Sequence, residues 1–362
     1  MRIGILTFHA AHNYGAVLQC YALQTYLERL GHEVEVIDYR QRFLLRVYQI
    51  YDWRRFISIN PLKCVQKFVR ECRLLRSRRK RHATFDKFIS SLLHLAPIST
   101  ITGHPYDVIF VGSDQVWNTA LTKGYDPYYW GAFPKPLHTR LFSYAASMED
   151  HPSDEKCRQM LPLLHNFSQV SVREQALAMR LHQQCKIPVT SVVDPTLLLE
   201  SSAWSSLAGQ RILPKDYVLL YEVHSSVRAE RIARQVADEL GAEVVMLASL
   251  LDANKTKFSI EASPITFLNL FKYARFVVAS SFHGTVFALQ FARPFVSVKA
   301  NNSKDGRVAN LLVQLHLEDR FINDLTPSHL KQILHSHTSY DLRTQELQHS
   351  EDFIHNCLSS YE

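Results

Sequence analysis

No stretch of this 362-residue chain approaches the roughly 20 consecutive apolar residues that a bilayer-crossing helix needs. The six cysteines (Cys20, Cys64, Cys72, Cys157, Cys185 and Cys357) include no Cys-x-x-Cys pair and are scattered through a long chain. That argues against a disulfide scaffold and for reduced thiols. G-x-G-x-x-G, the phosphate-binding G-x-x-x-x-G-K-[S/T] loop and H-E-x-x-H are all absent, which weakens nicotinamide, nucleotide-hydrolysis and zinc-protease readings. The eighteen histidines do not replace them. His335 with His337, and His349 with His355, lack the cysteine or carboxylate companions of a metal site and fit surface helices, so no metal is expected. There is no short-period repeat or low-complexity linker. The opening Met-Arg-Ile-Gly-Ile-Leu-Thr-Phe enters a strand pattern without the apolar run and small-residue cleavage site of a secretory leader, so a cytoplasmic chain is expected.

What is present is an ordinary globular composition, 46% apolar and 21% charged, enough for two cores. Acidic residues are scarce in one place. Residues 40–82 hold fourteen Lys/Arg against Asp52 and Glu71, a local charge of +12 in a chain whose total is +7. Val65, Phe68, Val69, Cys72 and Leu75 recur there at helical spacing between the charges. One reading is a basic amphipathic helix over 63–82 lying on an anionic membrane, at the inner face of the cell. The other is a solvated excursion whose apolar stripe packs on its own domain. No nucleic-acid motif accompanies the charge, and no nucleic acid partner is expected.

Two alternating halves follow. In residues 1–204, strand patterns fall at 2–8, 33–38, 108–111, 141–144, 169–172 and 190–193. A helix is predicted over 16–30, where Leu23, Tyr26, Leu27 and Leu30 share a face and Gly31 suits a left-handed cap. A shorter one is expected over 174–184. After a turn-rich stretch at 205–215, residues 205–340 alternate again: strands at 217–221, 243–247, 276–279 and 295–298, helices at 229–240 and 264–273, and a helix beginning near Val286. Residues 341–362 form a helical tail. The class is α/β, with two Rossmann-like domains of parallel sheet, and ligands are sought at the carboxyl ends of strands.

Four strand-end segments carry candidate chemistry. His9-Ala-Ala-His-Asn-Tyr-Gly15 precedes a helix, and its backbone N–H groups suit a phosphate or sugar, or it is a plain turn. Val111-Gly-Ser-Asp-Gln-Val-Trp-Asn118 supplies a carboxylate, two amides and an indole suited to sugar recognition, with Asp114 able to accept a hydroxyl proton or merely to cap a helix. Val170-Ser-Val-Arg-Glu174 puts Arg173 at a strand end, where a guanidinium can hold carboxylate or phosphate at two points. Ser280-Ser-Phe-His-Gly284 places His283 just before a helix N-terminus, either as an anion site that Gly284 leaves open or as a satisfied core histidine. Lys304 follows in the polar loop Asn301-Asn-Ser-Lys-Asp-Gly-Arg307.

Asn13-Tyr-Gly-Ala-Val-Leu-Gln19, Val111-Gly-Ser-Asp-Gln-Val-Trp-Asn118, Ser171-Val-Arg-Glu174, Val193-Asp-Pro-Thr196 and Ser281-Phe-His-Gly284 with Arg293-Pro-Phe-Val296 together resemble the polysaccharide pyruvyl transferase family. The resemblance runs from Met1 to about Arg320, and five motifs in order make it specific, although it covers the basic segment poorly. It implies a GT-B-like fold, two Rossmann-like domains facing a cleft, and transfer of pyruvate from phosphoenolpyruvate to hydroxyls of a glycan as a ketal. By motif, Arg173 and His283 match donor-binding positions, with Phe282, Gly284 and, at a more variable spacing, Lys304 beside them.

From these residues the expected catalytic groups are His283, as acid or phosphate anchor, and Asp114, as base or acceptor ligand. The acceptor side is assigned to Asn13, Tyr14, Gly15, Ser113, Asp114, Gln115, Trp117 and Asn118. No cofactor is expected beyond phosphoenolpyruvate as co-substrate. The acceptor is a glycan, free or lipid-linked, of a bacterial surface or exopolysaccharide. A nucleotide-sugar glycosyltransferase of the same fold and a non-catalytic glycan-binding protein are the alternatives.

Overall fold

The computed structural model describes residues 1–46, 61–148, 152–223, 226–248, 262–301, 305–336 and 340–359. The chain divides into two compact units. The first comprises Met1–Val47, Ile89–Leu199 and Leu342–Glu362, and the second Tyr48–Phe88 and Glu200–Asp341. Sequence reasoning drew the boundary after residue 204, kept the basic segment with the first half and set the tail apart. The structure puts the break at Leu199, groups the tail with the first unit and assigns most of the basic segment, as part of Tyr48–Phe88, to the second.

The first unit is built on a seven-stranded sheet. Its strands are β1 (Arg2–Leu6), β2 (Glu33–Asp38), β3 (Leu95–Pro97), β4 (Val108–Val111), β5 (Arg140–Ala146), β6 (Gln169–Val172) and β7 (Val189–Ser191). They lie in the order β3-β2-β1-β4-β5-β6-β7, and every pairing is parallel. The all-apolar run Val108-Ile-Phe-Val111 is buried at every position, as a parallel strand covered on both faces must be. The Tyr14–Arg29 helix connects β1 to β2 and ends where Gly31 takes a φ of 87°, a left-handed geometry that glycine adopts without a side-chain clash. The tail helix, Gln345–Ser359, packs on this sheet. Ser350 Oγ accepts from the Val193 amide at 2.9 Å, and Phe353 sits 6.4 Å from the Tyr144 ring.

The second unit has a five-stranded parallel sheet: β8 (Tyr217–Glu222), β9 (Glu243–Ala248), β10 (Phe276–Ala279), β11 (Phe295–Val298) and β12 (Phe321–Ile322), ordered β12-β11-β10-β8-β9. The two-residue β12 lacks enough alternation to be read from sequence. The Val227–Leu240 helix buries Ala229, Ile232, Ala233, Val236 and Ala237, the i, i+3, i+4, i+7, i+8 stripe, against β8 and β10 residues including Val218, Leu220 and Val278. Among the described residues the basic segment forms a short helix, Arg42–Arg46, and contributes to a long one, Pro61–Leu92, which extends beyond the expected 63–82 at both ends. Among the described residues no helix is long and apolar enough to cross a membrane.

Candidate functional site

Strand order locates the ligand edge in each unit. In the first sheet the winding reverses between β1 and β4, and in the second between β8 and β10. At such a switch point the loops leaving the two carboxyl ends diverge and open a crevice. The His9–Gly15 and Val111–Asn118 segments leave β1 and β4, and the His283 turn leaves β10, so three of the four sequence candidates lie at switch points. Arg173 leaves β6, two strands away from the first reversal.

In the first unit a buried polar lattice ties these loops together. Thr7 Oγ1 donates to the Ser113 carbonyl at 2.9 Å and accepts from Gln19 Nε2 at 3.0 Å, joining the ends of β1 and β4 to the following helix. Gly112 has a φ of 114°, and a Cβ there would collide with the Tyr144 carbonyl, so only glycine serves. Asp114 follows with a φ of 68°, half-buried. Its Oδ1 accepts from the Gln115 amide at 2.8 Å, while its Oδ2 receives no hydrogen bond from the described residues. An acceptor oxygen left open at a switch point is what a hydroxyl-binding or proton-accepting role requires.

Other acceptor-side candidates are occupied with structure. Trp117 is fully buried, stacked on Trp130 at 4.8 Å with its Nε1 donating to the Tyr129 carbonyl at 2.8 Å. Tyr14 and Ser113 are also fully buried, and Gly15 lies within the helix. These residues support the loops from beneath, which corrects the expectation that the indole and phenol face a sugar. Asn13 caps the Tyr14–Arg29 helix, its Oδ1 accepting from the Gly15 and Ala16 amides at 2.9 and 3.4 Å. Asn118, not Asp114, caps the short Thr119–Thr122 helix, and its Nδ2 donates to Gln115 Oε1 at 3.3 Å. Asp114, Gln115, Asn13 and Asn118 are the half-exposed members of the expected acceptor set.

Arg173 is not an open cation. Its side chain is 3% exposed, with Nη1 donating to Asp194 Oδ2 at 2.7 Å, Nε to Glu174 Oε1 at 3.4 Å and Nη2 to Ser147 Oγ at 3.1 Å. Ser147 Oγ donates in turn to Glu174 Oε1 at 2.6 Å, and Ser113 Oγ lies 3.5 Å from Asp194 Oδ2. Burial works to lower the guanidinium pKa, but the carboxylates of Glu174, Asp194 and Asp114 outweigh it and raise the net value. Arg173 thus braces loops leaving β4, β5, β6 and β7. Adjacent Arg173 and Glu174 meet here because Glu174 begins a helix with extended backbone, φ −95° and ψ 121°.

Sequence reasoning missed two partners. Asp194, from the Val193-Asp-Pro-Thr196 motif, is the hub of that brace and also accepts from the Thr196 amide and hydroxyl at 3.0 and 2.7 Å. His9, at the end of β1, is fully buried, with Nε2 2.9 Å from Asp38 Oδ1 and Nδ1 3.2 Å from the Thr7 carbonyl. The hydrogen bond with His9, aided by Arg40 and opposed by burial, holds the Asp38 carboxyl well below the usual range. Nothing in the linear spacing of His9 and Asp38 announces the pair; parallel pairing of β1 and β2 creates it.

In the second unit the helix carrying His283 runs Phe282–Gln290, so the histidine sits in its first turn and not before it as expected. Ser281 is the cap: its Oγ accepts from the Gly284 amide at 3.2 Å. Thr285 Oγ1 donates to the Ser281 carbonyl at 3.1 Å and pairs with Ser297 Oγ at 2.7 Å, anchoring the turn to β11. Gly284 is demanded by closeness, since a Cβ would lie 2.8 Å from both the Ala279 Cβ and Tyr221 Cδ1. Phe287 packs edge-on against Trp204 and Phe267, at 5.1 and 5.4 Å, fixing the helix from below. The result is a rigid helix N-terminus at a sheet switch point, with the half-buried His283 and Phe282 on its first turn. Glu222, buried at the end of β8, forms the opposite lip, its Oε1 accepting from the Ser226 amide at 2.8 Å. Lys304 lies outside the described residues.

No curated protein matches this chain. Among solved structures it is similar to the Methanocaldococcus jannaschii UDP-GlcNAc 2-epimerase in complex with UDP-GlcNAc and UDP, at 12% identity over 100% of both chains and a TM-score of 0.51. It is also similar to S. aureus MnaA solved with UDP, at 10% identity over 99% of this chain and 96% of that one, with a TM-score of 0.51. At such identities the likeness shows the fold alone, which is GT-B-like with two parallel α/β sheets. A family model described as polysaccharide pyruvyl transferase matches residues 13–302, starting later and ending earlier than the expected Met1 to Arg320 but taking in all five motifs. With most of its length matched, this chain belongs to the polysaccharide pyruvyl transferase family.

Proposed function

We propose that the protein transfers pyruvate from phosphoenolpyruvate to two hydroxyls of a glycan, forming a cyclic ketal and releasing phosphate. The observation that carries this reading is the family match, which spans motifs at the switch points of both sheets. Phosphoenolpyruvate offers a carboxylate, a phosphate and the methylene carbon of an enol phosphate. The methylene carbon takes a proton, leaving C2 electron-poor. One glycan hydroxyl adds to C2 and gives up its proton to a base. The C2–O bond to phosphate then breaks with its electron pair going to phosphate, and the second hydroxyl bonds to C2 and gives up its proton to the departing phosphate, closing the ketal.

In this reading the donor phosphate meets the first-turn N–H groups of the Phe282–Gln290 helix, where the macrodipole favours an anion. His283 donates a proton or holds the phosphate. Asp114, with its open Oδ2, is the base or a ligand for the acceptor. Arg173 contributes first as the brace beneath the Ser113–Asp114 turn. A direct hold on the donor carboxylate, which the resemblance implies, requires it to exchange one of its present partners. Lys304 is assigned to the donor anions by motif.

The test is phosphate release from phosphoenolpyruvate with and without bacterial surface polysaccharide. Release that needs both, with a glycan product heavier by one pyruvate less one water, supports the reading. A nucleotide-sugar transferase is the second reading, favoured by the UDP held in the structures of similar fold. Sugar transfer from UDP-GlcNAc with no phosphate release from phosphoenolpyruvate would establish it instead.

A further inference from the structure

We propose that the first half of the Pro61–Leu92 helix is a docking face for an anionic membrane surface, a function separate from transfer chemistry. In its second half this helix buries Arg78, Arg81, Phe85, Phe88 and Ile89, which share one side. In its first half Leu62, Val65, Phe68 and Val69 are 67%, 59%, 57% and 43% exposed, and Cys72 is exposed as well. At about 100° per residue the exposed apolar row points roughly 170° away from the buried side. Of the apolar stripe read from the sequence, Val65, Phe68, Val69 and Cys72 are exposed and Leu75 is half-buried, so the exposed row lies on the side of the helix opposite the buried one.

The charge around that row selects the partner. Exposed Arg76, Arg79 and Lys80 continue the same face toward the C-terminus, giving an apolar and then cationic strip that spans about 27 Å from Leu62 to Lys80 at helical rise. Residues 40–82 carry +12 while the rest of the chain carries −5, so the positive field is concentrated where the apolar side chains are exposed. A second copy of this chain would bring +12 against +12. A surface of anionic headgroups over acyl chains matches both halves of the strip, with Phe68 and the valines entering the headgroup boundary and Arg76, Arg79 and Lys80 meeting phosphates.

The test is co-sedimentation of the full chain with vesicles of phosphatidylcholine alone or with about one third phosphatidylglycerol. Binding should require the anionic lipid and weaken at high salt. Val65→Asp/Phe68→Asp, which leaves every cation in place, should weaken it at least tenfold, as should Arg76→Gln/Arg79→Gln/Lys80→Gln. All these side chains are exposed, so thermal unfolding should stay at the wild-type temperature. Phe68→Trp should show a blue-shifted emission only with anionic vesicles. Wild-type protein that ignores anionic vesicles, binding that survives Val65→Asp/Phe68→Asp, or self-association that this variant abolishes without any lipid binding would each overturn the proposal.

Discussion

Removing Asp194 should destabilise the first unit by about 4 kcal/mol, because the Arg173 guanidinium it pairs with is only 3% exposed and Asp194 also caps the Pro195–Leu197 turn. Breaking a buried ion pair by deleting one partner costs about 3–5 kcal/mol, since the other charge stays behind without water. Glu174 still lies 3.4 Å from Arg173 Nε in Asp194→Ala, which moves the figure to the lower end. Loss of the two bonds from Thr196 to Asp194 Oδ1 adds roughly 1 kcal/mol, the usual worth of a cap. Asp194→Asn keeps that cap but turns an amide toward Arg173, so it should lose the ion-pair part alone. For a unit of this size, about 4 kcal/mol corresponds to about 8–16 °C in the unfolding midpoint. Thermal scans and urea titrations of both variants measure it, with Thr196→Val as a control for the hydroxyl bond at about 1 kcal/mol or less. An Asp194→Ala protein that unfolds at the wild-type temperature would refute the idea that this brace holds the strand-end loops.

Gly284→Ala gains roughly 1 kcal/mol of helix propensity but forces a Cβ into the Ala279 and Tyr221 contacts at 2.8 Å. Overpacking at about 1–3 kcal/mol should win, and a urea midpoint above wild type would show that the close approach does not exist. Ser281→Ala should cost about 1 kcal/mol by uncapping the same helix, read by the same titration. Asp38→Asn removes a carboxylate whose pKa is lowered on folding, so the stabilisation it contributes is complete above the usual aspartate value near ~4 and lost as pH falls toward the lower folded value. With Asp38 28% exposed, the deficit at neutral pH should be about 1.5 kcal/mol, and the stability gap to wild type should close below about pH 4. A gap that stays constant down to pH 3 or so would contradict the linkage.

The fold was legible because parallel strands buried on both faces write themselves as short apolar runs. Val108–Val111, Gln169–Val172, Phe276–Ala279 and Phe295–Val298 fall where their patterns predict, and the stops at Gly31 and Gly241 mark helix ends. Boundaries drifted where a cap was hidden: Ser281 starts the His283 helix four residues earlier than Val286, because the Phe-His-Gly turn carries no helical apolar stripe of its own. Strand order, and with it the switch points, is a long-range property that local patterns do not encode.

The candidate site was legible by type and less so by exposure. Trp117 reads like a sugar platform in a polar loop, yet it is stacked under that loop on Trp130, thirteen residues away. Arg173 reads like an anion site at a strand end, yet Asp194, which neutralises it, comes from the far end of β7. Asp194 follows a different strand from Arg173, and Trp130 returns from later in the same β4–β5 connection as Trp117, so only the folded chain reveals either pairing.

Titration of the purified protein with phosphoenolpyruvate and, separately, with UDP-GlcNAc bears most directly on the central claim. Saturable binding of phosphoenolpyruvate that falls at least tenfold in folded His283→Ala is the predicted result. Binding of UDP-GlcNAc with none of phosphoenolpyruvate, or phosphoenolpyruvate binding unchanged in His283→Ala, would contradict it.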